Sequence, residues 1–471
     1  MFFSLHSQPK EALMINWNNC FSSERYGIHS ETKNERTEFE RDWDRIIFSS
    51  AFRRLQNKTQ VFPLPEEVFV HNRLTHSLEV ASVGRSLGEI TGKFISELLE
   101  VKDNFDSTEF YKYHLKNVVA CACLAHDLGN PAFGHSGEEA ISKYFIDKEN
   151  DAAFRSLFSN KEWADLVAFE GNSNAFRLLT NQFNGRLRGG FRLTYSTLGS
   201  ILKYPCEASA SLGKSGPKYR SKYGFFQADE AAFLEVAQKL HLIQEENESL
   251  LIYKRHPFVY LVEAADDICY SIIDFEDAHR LGIFKTDEVI AAFKKIILLK
   301  PGEDEQKIDK TLASVADTNE QIAYLRAKSI SFLTMHCADV FRQNAAAILN
   351  GTFEGDLINH HAETKKVMKE ISALSVKHIY NYPSVVKIEL AGFRIMGGLL
   401  EDFVSAALTE APKRNSMQKN LLGLLPSQFM FNESDSPYNK VMCMIDYASG
   451  MTDLYALKLY RNLRGIEVPT I

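Results

Sequence analysis

One short segment is apolar on nearly every side and ends in two polar residues. Residues 116–127 read KNVVACACLAHD, and their apolar side chains surround most of a helix instead of forming one stripe. Such a helix is stable in water only when other helices cover it. His126 and Asp127 stand at its carboxyl end, where a buried carboxylate is costly unless it is paired or bound to a metal. The segment therefore predicts a helical bundle with a polar site at the end of a central helix.

Helical periodicity continues along the rest of the chain. Apolar residues recur at spacings of three and four in residues 41–56, 76–100, 256–282, 319–350, 363–380, 385–409 and 438–462. No succession of short alternating segments and turns, typical of an all-β fold, is visible. We predict an all-α protein. The segment 297–310, ILLKPGEDEQKIDK, is the candidate boundary between a core domain (1–300) and a C-terminal helical region (301–471).

The composition argues against several classes of protein. The formal net charge of −7 is unlike that of a general nucleic-acid binder, which is usually basic. The seven cysteines are scattered and form no C-x-x-C pair, a usage typical of a reducing compartment. Residues 1–14 lack the regions of a secretory signal, and the longest apolar stretches are too short to span a membrane. We therefore expect a cytoplasmic protein that does not contact a membrane.

Two further segments could bring metal ligands to His126 and Asp127. His76 stands near the start of the helix predicted from residue 76. In the helix predicted over 256–282, Asp266, Tyr270 and Asp274 follow one another at intervals of four and share one stripe. Apolar neighbours leave little of this helix for solvent, so the acidic stripe indicates a site. Asp267 is the alternative to Asp266, which we prefer for its spacing to Tyr270.

His76, His126, Asp127 and Asp266 together form a set of two imidazoles and two carboxylates. Such a set suits Mn²⁺, Fe²⁺, Co²⁺, Ni²⁺ or Zn²⁺ better than it suits Mg²⁺, whose sites usually consist of oxygen ligands alone. Four protein ligands leave room on a six-coordinate ion for water and a phosphate oxygen, as metal-assisted hydrolysis requires. We expect a divalent ion: Mn²⁺ first, together with Mg²⁺, which prefers oxygen ligands but also binds substrate phosphates, and Co²⁺, Ni²⁺, Fe²⁺ and Zn²⁺ as alternatives.

Glycine and proline residues follow Asp127 and predict a tight turn across the mouth of this site. Ser136 and Glu139 have the spacing of a capping box, so we expect a new helix to begin there. His135 would then stand just before the helix, where it could donate a proton to a substrate. Glu138, three residues further on, could orient the His135 ring.

The segment 203–226 differs in composition from the rest of the chain. It carries five Lys and Arg residues against a single acidic residue, Glu207. Two interpretations stay open: a solvated surface loop, or a basic flap that orders on a phosphate-bearing ligand.

Eight motifs in a fixed order carry a resemblance that extends over almost the whole chain. They are SSAFRRLQNKTQVF (49–62), NRLTHSLEV (72–80), AHDLGNPAFGHSGE (125–138), FEGNSNAFR (169–177), LTYSTLGSILKYP (193–205), GFFQADE (224–230), RHPFVYLVEAADDICY (255–270) and DYASGMTDLYAL (446–457). The chain resembles the deoxyguanosinetriphosphate triphosphohydrolases of the HD-domain superfamily. The resemblance implies an HD-domain helical bundle with additional C-terminal helices, assembled as a hexamer or a dimer-based homo-oligomer. It also implies hydrolysis of dNTPs to deoxynucleoside and inorganic triphosphate.

The resemblance also assigns roles to individual residues. The family's metal ligands fall on His76, His126, Asp127 and Asp266, and its catalytic histidine and carboxylate on His135 and Glu138. The matched substrate contacts are Gln60 for the sugar 3′-OH, Tyr270 for the sugar face where a ribose 2′-OH would collide, Arg73 for a phosphate, and Lys203, Tyr204 and Asp274 for other parts of the substrate. A second dNTP and single-stranded DNA are candidate effectors.

Two other functions stay open at this point. The same metal chemistry would serve a phosphodiesterase or nuclease acting on single-stranded nucleic acid. Only the basic segment 203–226 favours that reading, and the acidic net charge opposes it. A non-catalytic nucleotide sensor could have kept the fold, but the intact set of site residues argues against it.

Overall fold

The protein is built from helices, which confirms the predicted all-α class. The computed structural model describes residues 15–28, 35–62, 70–247 and 249–467, and over these ranges it contains isolated bridges but no strand. The α-helices are α1 Glu38–Ile47, α2 Ser50–Arg54, α3 Arg73–Ser96, α4 Phe105–Glu109, α5 Leu115–Ala125, α6 His135–Ile146, α7 Ala152–Arg155, α8 Asn160–Val167, α9 Gly171–Thr180, α10 Tyr195–Ile201, α11 Glu230–Lys239, α12 Val259–Arg280, α13 Thr286–Ile297, α14 Glu305–Ala313, α15 Thr318–Gln343, α16 Ala345–Leu349, α17 Ala362–Leu374, α18 Pro383–Leu408, α19 Ser416–Gly423, α20 Pro437–Ser449 and α21 Asp453–Leu463. Residues 1–14, predicted to lack a secretory signal, lie outside the described ranges.

Shorter turns connect some of these helices. The 3-10 turns are Leu55–Asn57, Ala208–Ala210, Gly213–Ser215, Lys218–Arg220, Gln227–Asp229, Ala411–Lys413 and Ser427–Phe429, and the π-helical turns are Phe110–His114 and Ser375–Tyr380. No helix of the described chain is long and apolar enough to pass through a membrane.

The two helices that carry the predicted histidines lie unusually close together. Gly84, Gly88 and Gly92 form a row on α3, facing α5 and the π-helical turn before it. A Cβ atom at Gly88 would lie 2.8 Å from the Cα of Lys116, and one at Gly92 would lie 2.1 Å from the carbonyl oxygen of Tyr111. Glycine at these positions lets the backbones approach, and this close packing sets His76 of α3 relative to His126, which follows α5.

Helix α12 supplies the third wall of the central bundle. It packs against α3, α5 and α15, and apolar side chains such as Ile268 and Ile272 are fully buried. The stripe of Asp266, Tyr270 and Asp274 lies on a side that these contacts leave open, whereas the buried Glu276, on another side, is paired with Arg280 and Arg326. Asp266 is on that stripe and points toward the end of α5, 3.4 Å from His126 Nε2.

The apolar side chains form two clusters that meet beside this site. The first contains the interior of α3, α5, α12 and α15 and extends along the chain from Ile15 to Val385. The second joins α6 and α8 to α18 and α20 and extends from Ala132 to Ala456. Helix α18 contributes to both, because Val385 belongs to the first cluster and Ile395 to the second. The domain boundary at residue 300 stays a prediction.

Candidate functional site

A cavity of about 500 Å³ opens where the two clusters meet. All but one of the predicted site residues line it, namely Gln60, Arg73, His76, His126, Asp127, His135, Glu138, Lys203, Tyr204, Asp266 and Tyr270. The exception is Asp274, whose Oδ2 instead accepts a 2.6 Å hydrogen bond from the hydroxyl of Tyr380, a residue of the cavity wall. The fold thus brings together residues that are up to about two hundred positions apart.

Three of the predicted metal ligands converge on one point. His76 Nε2 lies 3.2 Å from Asp266 Oδ1, and His126 Nε2 lies 3.4 Å from the same oxygen. One ligand atom from each of the three residues lies within 4.8 Å of the other two. Helices α3 and α12 and the end of α5 hold these side chains, so the geometry rests on rigid elements.

The hydrogen bonding of His126 leaves one ring nitrogen free for a cation. Its Nδ1 lies 2.6 Å from the carbonyl oxygen of Cys123, and a carbonyl can only accept, so Nδ1 carries the proton. In the neutral ring, Nε2 is then an acceptor, and it is buried without a hydrogen-bond partner. In metal-binding histidines, the ring nitrogen that does not bind the metal typically donates its proton to a carbonyl or carboxylate oxygen, as Nδ1 does here.

The charges around His126 also fit a cation. Burial lowers the pKa of this imidazole, but the carboxylates of Asp127 and Asp266 outweigh burial and raise it to about 9. Burial would raise the pKa of Asp266, yet His126 and His76 hold it well below its usual range. Two imidazoles beside carboxylates fit a divalent transition-metal ion. Which ion is bound stays a prediction.

Asp127, the fourth predicted ligand, makes other contacts in this structure. Its Oδ2 accepts a 2.8 Å hydrogen bond from Arg73 Nη1, and its Oδ1 accepts one of 2.5 Å from the Asn130 amide. Its Oδ1 is also 3.6 Å from His126 Nε2. A buried carboxylate requires such partners, and the ligand role of Asp127 stays a prediction. Arg73, predicted to contact a phosphate, is likewise engaged with Asp127.

His135 and Glu138, predicted to act together as proton donor and orienting carboxylate (the acid pair), lie in contact, and their catalytic role stays a prediction. His135 Nδ1 lies 3.0 Å from Glu138 Oε2, and Glu138 Oε1 accepts a 2.8 Å hydrogen bond from the backbone N–H of Gly171. The hydrogen bond with Glu138 raises the pKa of His135. Burial would raise the pKa of Glu138, but the hydrogen bond with His135 and the charge of Lys222 lower it overall. His135 Nε2 is the nitrogen left for a substrate, because Nδ1 is held by the carboxylate.

The predicted capping box at Ser136 and Glu139 is wrong. Helix α6 begins at His135, directly after Gly134, and no side chain caps it. Ser136 therefore lies inside the first turn, where its hydroxyl donates to the carbonyl oxygen of Glu389 on α18. Phe133 and Gly134 both have positive φ, +62° and +56°, and this sharp turn, not a serine cap, decides where the helix starts.

The residues predicted to contact the sugar line one side of the cavity. The Tyr270 ring stacks on that of Tyr380, with centroids 5.8 Å apart and planes inclined by 15°. Gln60 Oε1 is buried and has no hydrogen-bond partner, so it can accept from a ligand hydroxyl. Lys203 Nζ lies 5.9 Å from the centroid of the Tyr204 ring and 3.5 Å from Glu263 Oε1.

The segment 203–226 packs into the protein at its two ends, while its middle is more open, with Leu212 exposed. Tyr223, Phe225 and Phe226 are fully buried. Two of its lysines pair with acidic residues outside the segment: Lys218 Nζ lies 3.1 Å from Glu263 Oε1, and Lys222 Nζ lies 2.8 Å from Glu170 Oε2. Lys203 and Lys222 nonetheless reach the cavity wall, so part of the segment is placed as the flap interpretation requires.

The sequence analysis did not single out several residues of the cavity wall. They are Thr59, Asn130, Glu170, Asn172, Tyr380, Val385, Ile388 and Glu389, among others. Those up to Asn172 lie within motifs already noted, so membership of a motif was a usable signal. Tyr380 and the residues of α18 reach the site only through tertiary packing, and no local pattern marks them.

Two domain models and several named relatives match the chain. Residues 73–180 match the HD domain, and residues 358–462 match the phosphohydrolase-associated domain. A "deoxyguanosinetriphosphate triphosphohydrolase-like protein" of Synechocystis sp. is 37% identical, over 96% of this chain and 100% of the relative. A protein of the same name from Pseudomonas aeruginosa is 36% identical, over 97% and 100%. The chain belongs to the deoxyguanosinetriphosphate triphosphohydrolase-like family.

A further relative carries the enzyme's name without the suffix. The "deoxyguanosinetriphosphate triphosphohydrolase" of Yersinia enterocolitica is 30% identical, over 91% of this chain and 94% of the relative. Membership of this family and the HD domain make the chain a phosphohydrolase. The HD match includes His76, His126 and the acid pair but ends before α12, so Asp266 comes from outside the matched domain.

Proposed function

We propose that this family member hydrolyses deoxynucleoside triphosphates to deoxynucleoside and inorganic triphosphate. One observation carries the proposal: a candidate divalent-metal site and a histidine–carboxylate acid pair line the same cavity, whose volume of about 500 Å³ suits a small-molecule ligand. The name of the Yersinia relative supports the choice of substrate.

Basic residues of the cavity wall would hold the triphosphate. Arg73, Lys203 and Lys222 line the cavity, and cationic groups aimed at phosphate oxygens stabilise the charge that develops in phosphoryl transfer. A divalent ion held by His76, His126 and Asp266, with Asp127 as the fourth ligand, would supply further positive charge beside those oxygens. Fixed charges of this kind position the α-phosphorus for attack by water.

His135 acts as the general acid on the leaving group. Water attacks the α-phosphorus and releases one proton to the solvent, the bond from that phosphorus to the 5′-oxygen breaks, and the His135 proton passes to the departing oxygen. The products are a 5′-hydroxyl on the nucleoside and an unbroken triphosphate chain. Glu138 keeps His135 protonated and oriented, because its carboxylate is fixed by the Gly171 N–H.

On the sugar side, Tyr270 and Gln60 select the deoxyribose. The stacked rings of Tyr270 and Tyr380 form a rigid wall, and the unpartnered Gln60 Oε1 would otherwise remain buried without a hydrogen bond. A hydroxyl that meets this oxygen gains a hydrogen bond and removes the cost of leaving it unsatisfied.

Product analysis tests the proposal. The purified protein is incubated with Mn²⁺ or Mg²⁺ and with each dNTP singly and in mixture, and the products are separated by anion-exchange chromatography. We expect deoxynucleoside and tripolyphosphate, and a faster reaction in the mixture would show activation by a second dNTP. Pyrophosphate or nucleoside monophosphate from dNTPs, or cleavage of oligonucleotides alone, would contradict the proposal and favour the nuclease alternative.

A further inference from the structure

The motif DYASGMTD (446–453) has no role in the chemistry described so far, although it reaches the catalytic site. Its last residue, Asp453, is buried, and each carboxylate oxygen accepts one backbone hydrogen bond. Oδ1 accepts from the N–H of Phe133 at 2.9 Å, and Oδ2 accepts from the N–H of Thr59 at 2.9 Å. One side chain at the start of α21 therefore holds two distant loops of the cavity wall.

The first of these loops is the turn that presents His135. Phe133 has a φ of +62° and Gly134 one of +56°, and a non-glycine residue keeps such a conformation only when its surroundings hold it. The N–H of Phe133 is held by Asp453. The Phe133 side chain packs against Gly392 on α18. A Cβ atom at position 392 would lie only 2.5 Å from the Cβ of Phe133. His135 follows directly as the first residue of α6.

The second loop carries Gln60, the neighbour of Thr59. Lys58, one residue earlier, is also buried and donates from Nζ to the carbonyl oxygens of Asn130, at 2.5 Å, and Ser449, at 2.9 Å. Ser449 belongs to the same motif as Asp453. Lys58 thus joins its loop to the motif, through Ser449, and to the segment that follows Asp127, through Asn130.

Two other polar residues of the motif, Ser449 and Asp446, form hydrogen bonds with side chains of helix α9. The Asn174 amide donates to the carbonyl oxygen of Gly129 at 2.6 Å and to the Ser449 hydroxyl at 3.2 Å. Arg177 forms two hydrogen bonds of 2.8 Å with the carboxylate of Asp446. These contacts anchor the motif on α9, so that Asp453 is a fixed point for the loops it holds.

We propose that Asp453 is a positioning residue, which sets the place of His135 by holding the strained turn at Phe133 and Gly134. The inference rests on the proposed function, in which His135 is the general acid. Asp453 touches neither the metal-ligand side chains nor the acid pair itself, and it acts through the backbone of the turn. The C-terminal region thereby completes a site whose reactive side chains come from earlier in the chain.

The test compares Asp453→Asn with Asp435→Asn in the full-length protein. Asparagine has the same size, but its amide group would place a donor against one of the two backbone N–H groups. Asp435 also accepts from a backbone N–H, that of Asn432, at 2.8 Å, but it is less buried and holds no residue of the cavity wall, so it is the control for the loss of one carboxylate charge. For Asp453→Asn we expect a loss in kcat of about 10- to 100-fold, the scale of a small misplacement of a catalytic group.

Two further readouts separate positioning from general damage. The Mn²⁺ affinity of Asp453→Asn is expected to stay within about twofold of the wild-type value, because the candidate ligands lie on other elements. Such a change is well below the loss of about tenfold that marks a significant effect on binding. The pKa of His135, followed by NMR in protein with ¹³C-labelled histidine and Mg²⁺, should fall toward its ordinary value of about 6.5 as the pair with Glu138 loosens. His135→Gln assigns the resonance.

Each result decides the proposal. Unchanged kcat and unchanged His135 pKa in Asp453→Asn would overturn it, and so would a loss of kcat that runs parallel to equal losses of Mn²⁺ affinity and thermal stability. If the wild-type protein releases no tripolyphosphate, the proposed function fails. The His135 titration would still report whether Asp453 holds the turn, so the two failures are distinguishable.

Discussion

Asp266 and Asp267 are adjacent on α12, but their carboxylates meet different partners. Asp266 lies with His76 and His126 in the candidate metal site. Asp267 Oδ2 lies 4.0 Å from Lys218 Nζ. The sequence analysis preferred Asp266 for its helical spacing to Tyr270. The structure places Asp266, and not its neighbour, beside the histidines, although the ligand role itself stays a prediction.

This pair provides a matched test of the metal site. We expect Asp266→Asn to weaken Mn²⁺ binding by at least about 100-fold, because loss of a mere supporting partner already costs 10- to 100-fold. Asp267→Asn, an equal change one residue away, should leave Mn²⁺ affinity nearly unchanged. Isothermal titration calorimetry measures both, and equal losses in the two variants would refute the assignment.

At the same scale, Glu138 is expected to control the pH dependence of catalysis. The hydrogen bond with Glu138 raises the pKa of His135, so the protonated acid persists to higher pH than an ordinary imidazole. Glu138→Gln removes the negative charge and lowers that pKa. The alkaline limb of the kcat profile should therefore move to lower pH. A limb that stays in place, or that moves to higher pH, would show that His135 is not the acid.

At the scale of the elements, the central relationship is the close approach of α3 and α5. Gly88→Ala would place a methyl group 2.8 Å from the Cα of Lys116, and backbone cannot rotate away as a side chain can. Overpacking of this kind costs about 1–3 kcal/mol of unfolding free energy. His76 would also shift relative to His126, so Mn²⁺ binding should weaken.

Gly397 on α18 is the control for this change. A Cβ atom there meets nothing within 4 Å, and alanine is the better helix former, so Gly397→Ala should be neutral or stabilising by up to about 1 kcal/mol. Urea unfolding measures both variants. A Gly88→Ala protein as stable as the wild type would show that the two helices do not need to lie so close.

The elements show where sequence reasoning succeeds and where it ends. Helices α3, α5 and α12 and the grouping of His76, His126 and Asp266 were predictable, because polar residues within apolar helices are costly and conspicuous. The start of α6 was not. It depends on a strained turn that Asp453 holds from 320 residues away along the chain, so the local spacing of Ser136 and Glu139 was misleading. Tyr380 and Glu389 are likewise placed by packing alone.

At the scale of the whole molecule, the cavity depends on both apolar clusters. Phe403 of α18 is buried in the second cluster and meets Tyr447 of α20 edge to face, with ring centroids 5.2 Å apart. Phe403→Ala should lower the unfolding free energy by about 3–5 kcal/mol. Phe48→Ala, at a side chain that is 68% exposed, should change it by no more than about 0.5 kcal/mol. Urea unfolding followed by circular dichroism checks both, and equal effects would contradict the assignment of the second core.

The homo-oligomer implied by the family stays a prediction.

The central claim is that water attacks the α-phosphorus and that the bond to the 5′-oxygen breaks. Hydrolysis of the preferred dNTP in H₂¹⁸O, with mass spectrometry of both products, tests it most directly. The account predicts one ¹⁸O atom in the tripolyphosphate and none in the deoxynucleoside. Label in the deoxynucleoside would mean attack at carbon, and label in pyrophosphate or orthophosphate would mean cleavage at another phosphorus. Either result would contradict the account.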